Sequence, residues 1–474
     1  MNGETGHSVQ GDETPQATAD GLLVALNGGP FFRRADWLSF GITTALALVV
    51  YRVTLAPEVT LEFSGILSTG AMYSGVPFPP GYPLWTIYAW LFTCLVPYSN
   101  MAWRVAISSA VAGALTCGVI ALMASRGAGS IVGGVSGLKR LAPKAELALR
   151  IMCGCVAGLA FGLDSAFWKK AVIAEVWPLT MLLFATVLCL LMRWLHAPDQ
   201  RRFLYLAALV YGLTLTNSQA LAVAGPGLVL VVLLGAPTLG RDLFFTTALL
   251  LGAAIAAHAL ILLPDALPYS AQRSPLWRFY LVAEVILLLL CLGLAIKTGG
   301  VFTEWKAVLA SGTMLALGLS LYLYAPLASH TNPPVNWGYP RTVEGFGHTL
   351  SRGQFESVRP TDNLGQYAEQ LGMYGERTLA NFGVIYVLPA LAPFWFLRRM
   401  HAQARQWVLG LLAVYLCLSL LMVALLNPSP DRADLQLVER FFSASHLVLA
   451  VWTGYGLALL GTILTKPRPL QERQ

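Results

Sequence analysis

Two carboxylates, Glu58 and Glu62, sit in the run LAPEVTLEFSGIL, and no basic residue follows them until Arg104. A carboxylate in a segment that folds back over a membrane can take a proton from an acceptor hydroxyl while a lipid-linked donor approaches from the side. Glu62 is the candidate for that base, and Arg104 is the first cation near it. The plainer reading is a pair of solvated loop acids. Further on, DSAFWKKAVIAEVWPL (164–179) groups Asp164, Lys169, Lys170 and Glu175. Lysines at a membrane boundary can neutralise a lipid phosphate as point charges, or snorkel as anchors beside Trp168 and Trp177. No Asp-x-Asp or Asp-x-Glu pair occurs there, so no divalent metal is expected.

Three other runs offer binding groups. Asn217, Ser218 and Gln219 interrupt the apolar region 203–235, either as the turn of a hairpin or as ligand contacts. In YLYAPLASHTNPPVNWGYPRT (322–342), Asn336, Trp337, Tyr339 and Arg341 combine rings that stack on a sugar with a guanidinium that holds phosphate. VERFF (438–442) adds Glu439 and Arg440, as a phosphate contact or as a simple ion pair capping a helix. His258 and Glu284 fall in the middle of apolar runs, where ionisable groups are functional candidates unless they make buried interhelical contacts. FPPGYPLW (78–85) reads as scaffold: its prolines force an extended entry and Gly81 permits the turn into a helix.

The elements that must hold these residues follow from composition. Of 474 residues, 56% are apolar or aromatic and 12% are charged, against roughly 25% charged in a soluble domain. A water-soluble globule is excluded, and the expected fold is all-α and polytopic, with about 12 spans. These lie near 37–53, 104–123, 146–163, 176–195, 203–216, 219–235, 242–263, 276–297, 305–326, 382–397, 406–426 and 443–464. The apolar run 82–97 is not counted. If it stays outside, the basic clusters at 126–144, 193–202, 241, 297–306, 398–405 and 466–473 all face the cytoplasm, as the positive-inside rule asks. If it crosses, every later loop inverts. Segment 82–97 is therefore expected as an interfacial helix, with Trp85, Tyr88, Trp90 and Phe92 in the headgroup layer. The excess of 31 Lys+Arg over 24 Asp+Glu is an orientation signal rather than a nucleic-acid surface.

On this basis residues 1–35 form a disordered cytoplasmic tail, 36–465 one transmembrane domain, and 466–474 a second cytoplasmic tail. The external segments 54–103 and 327–381 exceed simple connectors and, being rich in Pro, Gly and Trp, are expected to be ordered. The Gly/Ser-rich stretch 127–137 reads as a flexible cytoplasmic linker. All seven cysteines lie in apolar runs, so no disulfide framework follows.

The runs LEFSG, GVPFPPGYPLW and AWRVAISSA (61–109), FWKKAVIAEVWPL, GLTLTNSQ, NPPVNWGYPRTVEGF and VERFF together resemble a family of polytopic membrane proteins. That family includes bacterial chains of uncharacterised role and the eukaryotic protein O-mannosyltransferases acting on IPT domains. It belongs to the GT-C class of lipid-dependent glycosyltransferases. The resemblance implies a GT-C-like fold, an acidic base in the first external loop, and a polyprenyl-phosphate sugar as donor. It also implies acids directly before Ser-Gly and just after, where this chain has Phe63 and Ile66, so Glu62 must serve from one position earlier. The expected activity is sugar transfer, with mannose one candidate, to an undefined protein, glycan or lipid acceptor on the non-cytoplasmic face of a bacterial inner membrane. Glu62 is the base; Arg104, Lys169, Lys170, Glu175, Asn217, Gln219, Asn336, Trp337, Arg341 and Arg440 are binding candidates; no cofactor, metal or nucleic acid is expected. A transporter or flippase of a lipid-linked substrate, supported by Glu284 and His258, is the rival from another class; a non-catalytic scaffold is a third.

Overall fold

A computed structural model describes residues 30–61, 63–135, 141–261, 275–352 and 359–464. Glu62 lies outside the described residues, and of His258 only the helix is described. Among the described residues the chain is helical, with only isolated β-bridges at Val76–Asn336 and Val135–Met400. The helices in order are α1 (Arg34–Val53), α2 (Ser64–Met72), α3 (Pro83–Leu95), α4 (Met101–Gly134), α5 (Pro143–Gly162), α6 (Ser165–Ala171), α7 (Trp177–His196) and α8 (Arg202–Asn217). A 3-10 turn (Gln219–Ala224) leads to α9 (Gly225–Gly235), α10 (Pro237–Ile261), α11 (Pro275–Thr298) and α12 (Trp305–Leu319). Then come α13 (Tyr324–His330), α14 (Val343–Leu350), α15 (Leu364–Phe382), α16 (Val384–Trp395), α17 (Ala402–Leu416), α18 (Met422–Leu426) and α19 (Arg432–Leu464).

Nine helices among the described residues are long and apolar enough to cross a membrane, and the bent pair α15–α16 makes a tenth. The chain is thus an all-α, multi-pass membrane protein. The twelve-crossing reading also counted 203–216 and 219–235. The first is α8, whose 16 residues extend roughly 24 Å, short of the roughly 30 Å hydrocarbon core. The second is the broken helix Gln219–Gly235. Helix α3 has 13 residues, roughly 20 Å, and is too short to cross alone. Its bounds fall within the segment 82–97 expected as an interfacial helix, but Trp85, expected in the headgroup layer, is fully buried and donates to the Glu175 carbonyl.

The 34-residue α4 is the central post, packed on α1, α5, α7 and α19. Its Ala, Gly and Ser content lets neighbours approach closely, as helices in lipid require. A Cβ at Gly158 of α5 would collide with the Cys117 carbonyl of α4. The same packing corrects the reading of 127–137 as a flexible linker: residues 127–134 continue α4, with Ala128 and Ile131 buried. Gly127 admits the Tyr455 ring, and His401 N donates to the Gly134 carbonyl at 3.0 Å. Tertiary contacts there outweigh the poor helix propensity of glycine. The expected tail also ends sooner, since Arg34 and Ala35 open α1.

Gly383, at the start of the span expected at 382–397, adopts φ +91°, and α15 and α16 meet there at 109°. That backbone region suits glycine because no Cβ intrudes. Asn100 caps α4 by accepting from Trp103 N and binds the Pro57 carbonyl at 2.8 Å, tying both ends of loop 54–103 together.

Candidate active site

The run Val76–Tyr82 links two groups of candidate residues. At its start, Val76 N donates to the Val335 carbonyl and Trp337 N to the Val76 carbonyl, both at 2.9 Å. The second external segment is thereby held against the first. A Cβ at Gly75 would strike the Val335 carbonyl, so only glycine permits this approach. At the end of the run, Gly81 (φ +99°) and Tyr82 (φ +42°) turn the chain into α3.

Around the first junction is a cleft of about 580 Å³ lined by Ile66 and residues 332–339. The Phe63 and Phe78 rings lie 5.0 Å apart, and Phe78 is 4.9 Å from Trp337. Asn336 donates to the Ser329 carbonyl at 3.4 Å, while its buried Oδ1 has no partner among the described residues. A sugar or acceptor hydroxyl would satisfy such an acceptor. Arg341 is exposed and donates to Asn332 Oδ1 at 2.7 Å beside the Tyr339 ring.

The second group is ionic. Glu175 is 5% exposed. Ser109 and Trp85 donate to its carbonyl at 3.0 Å each, and Val176 N donates to its Oε1 at 2.9 Å. Its Oε2 faces Lys170 Nζ at 4.0 Å and Arg440 Nη1 at 3.9 Å. With Oε1 engaged by an amide and Oε2 by two cations, Glu175 orients the cations rather than receiving a proton from an acceptor. Arg440 Nε is buried without a partner among the described residues. A desolvated guanidinium nitrogen in that state calls for an anion.

Helix α19 is fixed at this point by Trp177 Nε1, which donates to Ser443 Oγ at 2.8 Å, while Ser443 binds the Arg440 carbonyl. Glu439 does not cap its neighbour; its Oε1 accepts from Asn381 Nδ2 at 2.6 Å. One turn deeper, fully buried His446 bridges Asp164 through Nδ1 and Thr378 through Nε2. Asp164 Oδ1 caps α6 through the Ala166 and Phe167 amides. Helices α6, α15 and α19 are thus joined beneath Arg440.

Among the other candidates, Asn217 is 1% exposed; its Oδ1 accepts from Trp85 N at 3.1 Å, and its Nδ2 is unpartnered among the described residues. It faces inward at the start of α3 and is not simply a hairpin tip. Gln219 donates to the Leu350 carbonyl at 2.9 Å. Arg104 binds the Thr93, Tyr98 and Ser99 carbonyls at 3.2 Å each, closing the α3–α4 turn. Lys169 is exposed, and so is Glu58. The structure therefore gathers Lys170, Glu175 and Arg440 in one place, and Asn336, Trp337 and Arg341 in another.

Three residues, Tyr82, Arg352 and His446, escape sequence reasoning. Tyr82, which appeared to be scaffold, places its phenol within the electrostatic reach of Arg352, Arg440 and Glu175. Burial raises its pKa, the two guanidiniums oppose that, and Glu175 adds to it, so the phenol is held protonated and able to donate. Arg352 follows the strand of chain that Gln219 anchors at Leu350. The missed His446 did carry a signal: it is an ionisable group inside the span expected at 443–464, like His258 and Glu284.

Comparison with known proteins gives this geometry a context. Residues 64–240 match the family model described as the protein O-mannosyl-transferase TMEM260 N-terminal domain. The chain is 27% identical over 205 residues to mouse protein O-mannosyl-transferase TMEM260, covering 43% of this chain and 26% of the mouse protein. It is 32% identical over 69 residues to the Dictyostelium discoideum protein of the same name, covering 14% of this chain and 8% of that one. The matched stretch thus spans about a quarter or less of either relative. The family-model match, residues 64–240, contains Tyr82, Lys170, Glu175, Asn217 and Gln219, and ends before Asn336 and Arg440. The similarity is to the N-terminal domain of proteins named as O-mannosyl-transferases, over less than half of this chain.

Proposed function

We propose that the protein transfers a sugar from a polyprenyl-phosphate carrier to an acceptor hydroxyl, at the non-cytoplasmic membrane face carrying loops 54–103 and 327–381. The observation that carries this reading is the buried Nε of Arg440, without a partner among the described residues, beside Lys170 and Glu175, with an aromatic cleft at the other end of the run Val76–Tyr82. Mannose is the proposed sugar, on the names of the relatives, and a protein the proposed acceptor.

In the reaction, the acceptor oxygen attacks the anomeric carbon while the bond from that carbon to the phosphate oxygen breaks. The acceptor proton passes to the Glu62 carboxylate. The phosphate leaves with the electron pair, and Arg440 and Lys170 balance its charge, with Tyr82 as a neutral donor. Stabilising charge that develops at the leaving group is where preorganised donors accelerate a reaction most. Asn336 and Trp337 would hold the sugar, and Asn217 and Gln219 keep the chain segments around Tyr82 in register. Attack opposite the departing phosphate inverts the anomeric centre.

The test is reconstitution with polyprenyl-phosphate-[³H]mannose and membrane-protein acceptors. Release of label from the lipid in wild type, lost in Arg440→Ala, supports the reading; equal release from both overturns it. A second reading, movement of a lipid-linked substrate across the bilayer, draws on Glu284, whose Oε2 is buried without a partner among the described residues and whose Oε1 lies near Gly252. Flipping of a fluorescent polyprenyl phosphate in proteoliposomes, abolished by Glu284→Gln, would favour it.

A further inference from the structure

At the opposite end of the helices from Glu175, five arginines meet. Arg33 precedes α1, Arg126 lies late in α4, Arg150 early in α5, and Arg193 and Arg202 flank the α7–α8 turn. Buried Asp36 is already engaged: its Oδ1 takes Arg150 Nη2 at 2.7 Å and Ser125 Oγ at 2.6 Å, and its Oδ2 takes Arg33 N at 2.8 Å. Glu146 stands 3.8 Å from Arg150 with its side chain 45% exposed. Two acids therefore face five guanidiniums.

Arg126 is the residue this arrangement leaves short. It is 9% exposed and its Nε is buried without a partner among the described residues; Asp36 attracts its charge, while Arg33, Arg150 and Arg193 repel it. Its guanidinium lies 4.5 Å from the Phe31 ring centroid, and that of Arg193 lies 4.9 Å from the same ring. Stacking on a ring engages the face of a guanidinium and leaves its in-plane N–H groups for an oxygen anion. Of the five, Arg126 and Arg150 are buried, Arg193 is half-buried, and Arg33 and Arg202 are exposed; Arg150 is paired with Asp36, so Arg126 is the buried cation that an added anion would compensate.

The setting identifies the anion. Phe31, Phe32, Trp37 and Phe40 form a chain of ring contacts at 4.7, 6.0 and 5.8 Å. Trp37, Leu38, Ile42, Leu46 and Val49 expose their side chains along α1. An aromatic belt above an apolar helix face marks headgroup depth. We propose that Arg126, Arg193 and Phe31, with Arg33, Arg150 and Arg202 around them, bind the phosphate headgroup of an anionic phospholipid whose chains lie along α1. The site is separate from the Arg440 cluster and does not depend on the function proposed for it.

The experiment uses the full chain purified in neutral detergent. Native mass spectrometry and thermal unfolding are compared with added phosphatidylglycerol, phosphatidylcholine or inorganic phosphate. The expected result is retained phosphatidylglycerol and a raised Tm with that lipid alone. Arg193→Gln and Arg202→Gln, at the rim, should each weaken its affinity roughly fivefold, the worth of one basic residue near an anionic headgroup. Arg126→Gln should weaken it further; if that variant does not fold, the rim variants and the lipid selectivity of wild type still decide. Equal retention of the two lipids, or affinity unchanged in both rim variants, overturns the proposal. A Tm rise with inorganic phosphate matching that with phosphatidylglycerol also overturns it, in favour of a soluble anion.

Discussion

Arg440 Nη1 stands 3.9 Å from Glu175 Oε2, close enough for charge attraction and too far for a hydrogen bond. The pair joins the entry of α7 to α19 while leaving the guanidinium able to bind a third group. Neither partner's local sequence announces this. VERFF offers Glu439 as the obvious mate of Arg440, but Glu439 binds Asn381 instead.

Arg440→Ala should therefore weaken binding of undecaprenyl phosphate by on the order of 1.5 to 3 kcal/mol, the worth of a hydrogen bond to a charged group. That is roughly 10- to 150-fold in Kd, read by quenching of tryptophan fluorescence. Arg440→Lys should recover part of it, since charge returns without the planar fork. Glu175→Gln should loosen binding less, because the cation remains and only its orientation suffers. Equal Kd values for wild type and Arg440→Ala would reject the phosphate assignment.

Tyr82→Phe keeps the ring and removes the donor, so binding should weaken by about 1 kcal/mol, roughly fivefold. Because the Tyr82 phenol is held protonated above its usual range, this factor should stay constant between about pH 7 and pH 9, below the ordinary tyrosine value. The sign for stability is the same: the contribution of a raised acid is complete below the unfolded pKa near 10 and is lost as pH rises through the folded one. A Tyr82→Phe effect that faded across that neutral-to-alkaline range would show that the phenol ionises early and is not the donor.

Much of the architecture was legible because lipid imposes long apolar helices on any chain that crosses it. The short helix within 82–97 followed from its length and apolar content. The site was legible only as separate residues. That Lys170, Glu175 and Arg440 would meet, whereas Arg341 would turn to Asn332, depends on how α6, α7 and α19 pack. Tyr82 was hidden inside a proline-rich turn whose local chemistry explains itself without any function. The misread stretch 127–137 shows the converse, with glycines that signal flexibility in isolation becoming contact surface once Tyr455 packs on Gly127.

Orientation gives a prediction independent of chemistry. Ser99 and Asp199 are both exposed, the first just before α4 and the second after α7. If α4, α5 and α7 each cross once and α3 does not, these positions lie on opposite faces, with Ser99 outside. Single-cysteine variants in a cysteine-free background should react with an impermeant maleimide in intact cells at position 99 only. Labelling at both positions would contradict the three crossings between them, and labelling at 199 alone would mean that α3 crosses or that the whole topology is inverted.

The most demanding prediction concerns Glu62. Of the residues after it, Phe63 reaches Phe78 and through it Trp337, and Ile66 forms part of the cleft wall, whereas Leu61 before it is exposed. Glu58, by contrast, is exposed to solvent. A base must come within about 3 Å of the hydroxyl it deprotonates, directly or through one water, and the chain just after Glu62 reaches the cleft at Ile66. Glu62→Gln preserves size and removes basicity, so sugar transfer should fall by roughly 10² to 10⁴ while donor binding, which depends on Arg440, stays near wild type. Glu58→Gln should transfer normally. Loss in Glu58→Gln with Glu62→Gln intact would move the base four residues back toward α1. If both variants retained full transfer, neither loop carboxylate would be the base, and the departures at Phe63 and Ile66 would mark a chain that reaches its acceptor by another route.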